Sequence, residues 1–174
     1  MRYSQIREMD ISNGPGIGVA LFVQGCPIHC PGCFNKDTWD FEGGKEWTQE
    51  IEDKFLELCK RPHIERISIL GGEPLAPENI RTIVMLCNKI KIMRPELKIW
   101  LYTGYVMNFN WSDLDYKELN DCVDYIVTGP YVHAQRDMNL LYRGSANQKI
   151  LDMKKSITAK SDVYYTPEMP NGLE

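Results

Sequence analysis

No apolar run in this sequence approaches the roughly 18 residues of a membrane-spanning helix, so no membrane span is expected. The opening residues, Met1-Arg-Tyr-Ser-Gln-Ile-Arg-Glu-Met-Asp10, lack the apolar stretch of a secretory signal. A reducing cytoplasm is therefore the expected compartment. Lysine and arginine form no basic run, and the formal net charge is -4 at pH 7, so nothing supports nucleic-acid binding. No internal repeat and no linker interrupts the 174 residues, a length that fits one domain with a real core. The remainder, 43% hydrophobic and 25% charged, is ordinary for a soluble globular chain.

Cysteine is scarce but unevenly spread. Three of the six share one loop: Cys26, Cys30 and Cys33, within Gly25-Cys-Pro-Ile-His-Cys-Pro-Gly-Cys-Phe-Asn35. Chance placement would give such a triplet about 0.007 times, too rarely for an accidental reading. In a reducing compartment, clustered cysteines read as metal ligands or catalysts before disulfides. Thiolates suit zinc or iron–sulfur centres. A structural zinc wants four protein ligands. Three thiolates on an iron–sulfur cube leave one iron open to something other than protein. His29 lies inside the loop and reads as a solvent-facing residue in preference to a fourth ligand. Pro27 and Pro31 stiffen the loop, while Gly25 and Gly32 let it turn tightly. Cys59, Cys87 and Cys122 read instead as small buried hydrophobes.

Ile17 to Val23 is short and almost wholly apolar, which suits a buried strand. Thr48 can cap a helix carrying Glu50 in its first turn and Ile51, Phe55 and Leu58 at helical spacing. Arg66 to Leu70 reads as a second strand, ending in Gly71-Gly-Glu-Pro74. Pro77 then opens a helix whose buried stripe is Ile80, Ile83, Val84 and Cys87. Lys98 to Thr103 and Val123 to Thr128 are the next strands, with a short helix over Asp113 to Asn120 between them. Its acidic residues read as a solvated face. His133 to Asn139 looks like a polar loop, and Leu140 to Leu151 holds a last short strand. From Asp152 the tail reads as polar or irregular, with Pro167 and Pro170, and peripheral.

This alternation implies an α/β fold with parallel strands and covering helices. The cysteine loop, the Gly-Gly-Glu-Pro turn, Thr103-Gly-Tyr105 and Thr128-Gly-Pro-Tyr131 each follow the last apolar residue of a strand. In a parallel sheet they share one rim, where such folds keep their active sites. Glycines let a ligand approach the backbone at the second turn, and Glu73 can accept a charge-assisted hydrogen bond from a ligand ammonium. Gly14-Pro-Gly-Ile-Gly18 resembles a phosphate loop, but it precedes its strand, so it reads as a tight lead-in.

The triplet Cys26-x3-Cys30-x2-Cys33 followed by Gly-Gly-Glu-Pro resembles the radical S-adenosylmethionine superfamily. Asn13-Gly-Pro-Gly16, Leu21-Phe-Val-Gln-Gly-Cys26, Cys33-Phe-Asn35, Trp100-Leu-Tyr-Thr-Gly-Tyr105, Asp124 to Tyr131 and Leu141-Tyr-Arg-Gly-Ser-Ala-Asn-Gln148 sharpen the resemblance. They are similar to the activating proteins of anaerobic (class III) ribonucleotide reductases. The resemblance covers residues 1–151 as one domain, leaving 152–174 as a tail. It implies a truncated, open, partial TIM-type (β/α) barrel. It also implies a [4Fe-4S] cluster on Cys26, Cys30 and Cys33, with S-adenosylmethionine on the open iron. Gly71, Gly72 and Glu73 would lie along the methionine end, and Phe34 and Asn35 near the adenine. The implied partners are the catalytic subunit of the reductase, which would receive a glycyl radical, and an external one-electron donor such as a flavodoxin. A homodimer is left open. The family commonly has an arginine where this chain has Gly18, so no role of that arginine carries over.

Rival readings are a small-molecule radical enzyme, such as 7-carboxy-7-deazaguanine synthase, a non-catalytic iron–sulfur electron carrier, and a zinc-binding module. The first tends to carry Asp-Thr after its last cysteine, where this chain has Phe34-Asn35. The polar cluster Arg143, Ser145, Asn147 and Gln148 has two readings. It lies near the partner loop or cofactor, or it is a hydrogen-bonded chain end.

Overall fold

The computed structural model describes residues 1–107 and 114–168. Its frame is one open sheet of seven strands. β1 (Arg2–Asp10), β2 (Gly18–Val23) and β3 (Lys45–Glu46) form one side; α1 (Gln49–Cys59), β4 (Arg66–Gly71), α2 (Pro77–Met93) and β5 (Lys98–Thr103) follow. Then come α3 (Leu114–Cys122), β6 (Tyr125–Thr128), β7 (Lys149–Asp152) and α4 (Met153–Ala159). The strand order is β3-β1-β2-β4-β5-β6-β7. The four central strands β2, β4, β5 and β6 are parallel, while β1 and β7 pair antiparallel at either side.

Alternation along the strands separates two faces. Val19, Leu21, Ile67, Ile69, Ile99, Leu101 and Ile126 belong to the main core. That core includes Phe55 of α1, and Ile83, Leu86 and Ile90 of α2. The opposite face carries Ala20, Phe22 and Leu70 in one cluster, and Trp100, Val127 and Ile150 in another, with Tyr102 against both. The helices form where expected. The Thr48 hydroxyl accepts from the Ile51 amide at 3.3 Å to start α1, and Pro77 opens α2 after extended Ala76. Of the helix expected over Asp113 to Asn120, Asp113 lies outside the described residues; the described part starts at Leu114 and ends at Cys122.

Three elements differ from the sequence reading, the first being β3, a two-residue strand on β1 that was not read at all. Arg2–Asp10, read only for the absence of a signal, is a nine-residue strand. The segment after Asp152, read as irregular, forms α4. The Asp152 side chain caps it by accepting from the Lys155 amide at 3.0 Å. Beyond α4, Tyr165 packs edge-on to Trp100 at 5.7 Å between ring centroids, so residues past the helix reach the sheet.

Candidate metal centre

A cavity of about 490 Å³ opens at the C-terminal ends of the parallel strands. The four strand-end turns meet there: the cysteine loop, Gly71-Gly-Glu73, Thr103-Gly104 and Gly129 with Tyr131 all line it. All eight residues assigned to the site from the sequence are in its wall: Cys26, Cys30, Cys33, Phe34, Asn35, Gly71, Gly72 and Glu73.

The thiols are held by a loop folded back on itself. The Gly25 amide donates to Thr38 O at 2.8 Å, Cys26 N to Trp39 O at 3.0 Å, and Cys33 N to Cys30 O at 3.0 Å. Burial pushes the Cys26 and Cys30 thiols up, partly opposed by the His29 and Ile28 amides at Cys26 and the Tyr131 amide at Cys30. The Asn35 amide donates to Cys33 Sγ at 3.3 Å. His29 is exposed and stacks on Trp39 at 4.4 Å. Cys59, Cys87 and Cys122 are buried in the main core. A single ion would need its donors gathered about one point. Among the described residues, no three His, Cys, Asp or Glu side chains are so gathered. The donor set, three soft thiols along one cavity wall with no fourth beside them, suits a cluster whose corners each take one thiolate.

Glu73 is 1% exposed and rigidly held. Its Oε1 accepts from Leu75 N at 2.9 Å and from the Thr103 hydroxyl at 2.7 Å; its Oε2 accepts from Gly104 N at 2.8 Å. Oε2 keeps acceptor capacity for one further donor. Burial pushes the carboxyl up to about 7 against the pull of these three donors. The neighbouring glycines serve the chain itself. Gly72 N donates to Val23 O at 2.9 Å and Glu73 N to Gly25 O at 2.7 Å. A Cβ on Gly72 would lie 2.4 Å from Gly25 O. Close approach of the cysteine-loop backbone therefore requires glycine here, without any ligand.

The polar cluster at 143–148 is a hydrogen-bonded chain end that also reaches the cavity wall. Its side chains bond to backbone of 129–132, and yet Arg143, Gly144 and Gln148 line the cavity. Sequence reasoning missed the inner face. Arg7, Tyr102 and Tyr142 also line the cavity. Trp39 Nε1, the Tyr102 hydroxyl and Arg143 Nε are buried without a hydrogen-bond partner. Two-residue alternation in β5 was the available signal, since it puts Trp100 and Tyr102 on one face.

Residues 12–151 match the model of a family described as a 4Fe-4S single cluster domain. The anaerobic ribonucleoside-triphosphate reductase-activating protein of Vibrio cholerae is 39% identical over 154 residues, covering 86% of this chain and 97% of that protein. That of Escherichia coli is 37% identical over 153 residues, covering 86% and 97%. That of Enterobacteria phage T4 is 35% identical over 150 residues, covering 86% and 93%. By a match over most of its length to the cluster-domain model and to these relatives, the chain belongs to the family of anaerobic ribonucleoside-triphosphate reductase-activating proteins.

Proposed function

We propose that this chain activates an anaerobic ribonucleotide reductase by radical chemistry on S-adenosylmethionine. Cys26, Cys30 and Cys33 would hold a [4Fe-4S] cluster with one iron free of protein. When bound, the cluster and the sulfonium compound supply one-electron cleavage to methionine and a 5′-deoxyadenosyl radical, which takes a hydrogen atom from a glycine Cα of the reductase. The electron comes from an external one-electron donor such as a flavodoxin. All six cysteines are free, in keeping with a reducing cytoplasm.

The chain's own residues bind, orient and exclude water. Glu73 offers Oε2 to the ligand ammonium, its other oxygen being fully engaged. The backbone of Gly71 and Gly72 runs along the methionine end. Phe34 and Asn35 flank the adenine. Phe22 and Leu70 line the cavity from the inner face of the sheet and keep water and stray hydrogen donors from a primary carbon radical. Among the described residues the sheet does not close on itself: β3 and β7 are its end strands, and only the short stretch 163–165 bonds to β7 beyond β6. We read this as a truncated, partial TIM-type barrel whose open side admits a polypeptide loop.

One observation carries this reading: three thiols and a buried carboxylate, from separate strand ends, line a single cavity. The test is anaerobic reconstitution with iron and sulfide, followed by electron paramagnetic resonance with and without S-adenosylmethionine. The reduced cluster signal should change on adding the compound. With the reductase present, 5′-deoxyadenosine and a glycyl radical should appear together. An unchanged cluster signal and no 5′-deoxyadenosine would overturn the proposal.

A further inference from the structure

Residues 129–148 leave the sheet at the end of β6 and return to it at β7. Side chains near the return tie the two ends of this segment together. The Ser145 hydroxyl accepts from Val132 N at 3.1 Å and donates to Asn147 Oδ1 at 2.7 Å. Asn147 Nδ2 donates to Pro130 O at 2.8 Å. Gln148 Nε2 donates to Gly129 O at 3.0 Å, while its Oε1 accepts from the amides of Gly144 at 2.9 Å and Ser145 at 3.2 Å. Ser145 is fully buried.

The segment so closed is a strap, and it presses on the cysteine loop. The Tyr131 and Phe34 rings lie 5.2 Å apart, and the Arg136 guanidinium stands 5.3 Å over Phe34. His133 packs on Gly32, where a Cβ would meet its Nδ1 at 2.9 Å. Gly144 packs on both rings, with a Cβ there meeting Tyr131 at 3.1 Å and Phe34 at 3.3 Å. The strap thus grips the loop at Gly32 and Phe34, on either side of Cys33.

We infer that Ser145, Asn147 and Gln148 are positioning residues that latch this strap over the cysteine loop and so shield the metal centre. They act through Tyr131 and His133. Solvent exposure is one of the levers a protein has on an iron–sulfur centre. Opening the latch frees the carbonyls of Gly129 and Pro130 and the amide of Val132. The strap then loses its fixed seat against Gly32 and Phe34. The inference rests on the proposed cluster and adds to it the residues that control its exposure.

The experiment uses the whole chain. Asn147→Ala and Gln148→Ala remove latch bonds. Gln148→Glu keeps the acceptor for Gly144 and Ser145 but sets an oxygen against Gly129 O. Ile83→Val, on the far face of the sheet, is the control for a general loss of stability. Hydrogen–deuterium exchange over 129–136 in the metal-free chain should run about tenfold faster in all three latch variants and be unchanged in the control. After reconstitution, visible absorbance in air should decay about threefold faster or more in the latch variants alone. Exchange and decay matching the unsubstituted chain, or equal acceleration in the control, would overturn the latch and leave the proposed function standing. Failure of the unsubstituted chain to take up iron and sulfide would overturn the proposed function, and the shielding role with it.

Discussion

Arg66 lies directly across from Gly18 in the parallel pairing of β2 with β4, and its guanidinium fills the space a side chain at residue 18 would need. A Cβ on Gly18 would lie 2.6 Å from Arg66 Nη1. Arg66 is 1% exposed and pairs with Asp10 at 2.8 Å. It also donates to Pro15 O at 3.0 Å and to the Ser68 hydroxyl, which in turn donates to Asn13 O at 2.6 Å. Asp10 accepts from Asn13 N at 3.0 Å. The pair therefore folds residues 11–16 across the inner face, and Ser12 and Asn13 become part of the cavity wall.

Arg66→Met should be severely destabilising, because it leaves Asp10 buried without its cation, a loss of about 3–5 kcal/mol. Adding Asp10→Asn should recover part of that loss, which urea unfolding of the two variants would measure. Acid should act on the same pair. Burial pushes the Asp10 carboxyl up, but Arg66 and Asn13 together hold it below its ordinary 3.8. A carboxyl depressed in the fold stabilises above its unfolded value and loses that contribution as pH falls through its folded one. Unsubstituted protein should thus lose stability below about pH 4, and the double variant should lose less.

Glu73 behaves in the opposite sense. Its carboxyl rises from 4.5 to about 7 in the fold, so between those values the folded chain holds a proton that the unfolded chain has released. Stability of the metal-free protein should fall by up to about 3 kcal/mol as pH rises through that window, then level off. Glu73→Gln should flatten the slope in urea unfolding at pH 5 and 8. A bound ammonium favours the ionised form, so affinity for S-adenosylmethionine should rise with pH up to about 7. In the Gln variant the cofactor should bind roughly ten- to hundredfold more weakly, the equivalent of a charged hydrogen bond of about 1.5–3 kcal/mol. Unchanged affinity by calorimetry would remove Glu73 from the site.

The sheet's parallel centre was legible because β2, β4, β5 and β6 are short apolar runs, each closed by a glycine-bearing turn. The rim followed from that order alone, which is why the sequence by itself brings the cysteine loop and Glu73 together. β1 was not legible. Arg2, Arg7 and Glu8 break its hydrophobic pattern, and only Tyr3 and Asp10 in it are buried. α4 was hidden in the same way, since only Met153 and Ser156 of its residues are buried. The inner-face network was read past because Arg66 looks like the polar start of a strand; only the register with Gly18 shows that it points inward. The latch joins residues 13 to 19 positions apart through side chain and backbone, a pairing without periodicity to read.

Gly72→Ala tests whether the second glycine serves the chain or a ligand. The added methyl would meet Gly25 O at 2.4 Å and Thr38 O at 2.9 Å, both backbone atoms that cannot swing aside. The cysteine loop must shift, breaking the 2.7 Å bond from Glu73 N to Gly25 O. The metal-free variant should lose about 1–3 kcal/mol by urea unfolding. A variant of full stability that fails only in cofactor binding would show that a ligand, not the loop, claims the space.

The six cysteines should divide into two groups of three when each is replaced by alanine. Cys59, Cys87 and Cys122 lie in the main core, at most 1% exposed. Burial pushes the Cys59 thiol up to about 12. The Cys87 thiol is also held well above its ordinary value, by a hydrogen bond with Cys122 and by burial. None of the three lines the cavity. Their replacement should cost about 1 kcal/mol each as lost packing and leave iron and sulfide content after reconstitution unchanged. Cys26, Cys30 and Cys33 should show the reverse, with near-normal stability of the metal-free chain and loss of the cluster. Iron analysis beside urea unfolding on all six variants separates the groups. Retention of a full cluster by the Cys26→Ala, Cys30→Ala or Cys33→Ala variant would mean that another residue can take that corner, and that the open iron is not defined by these three thiols.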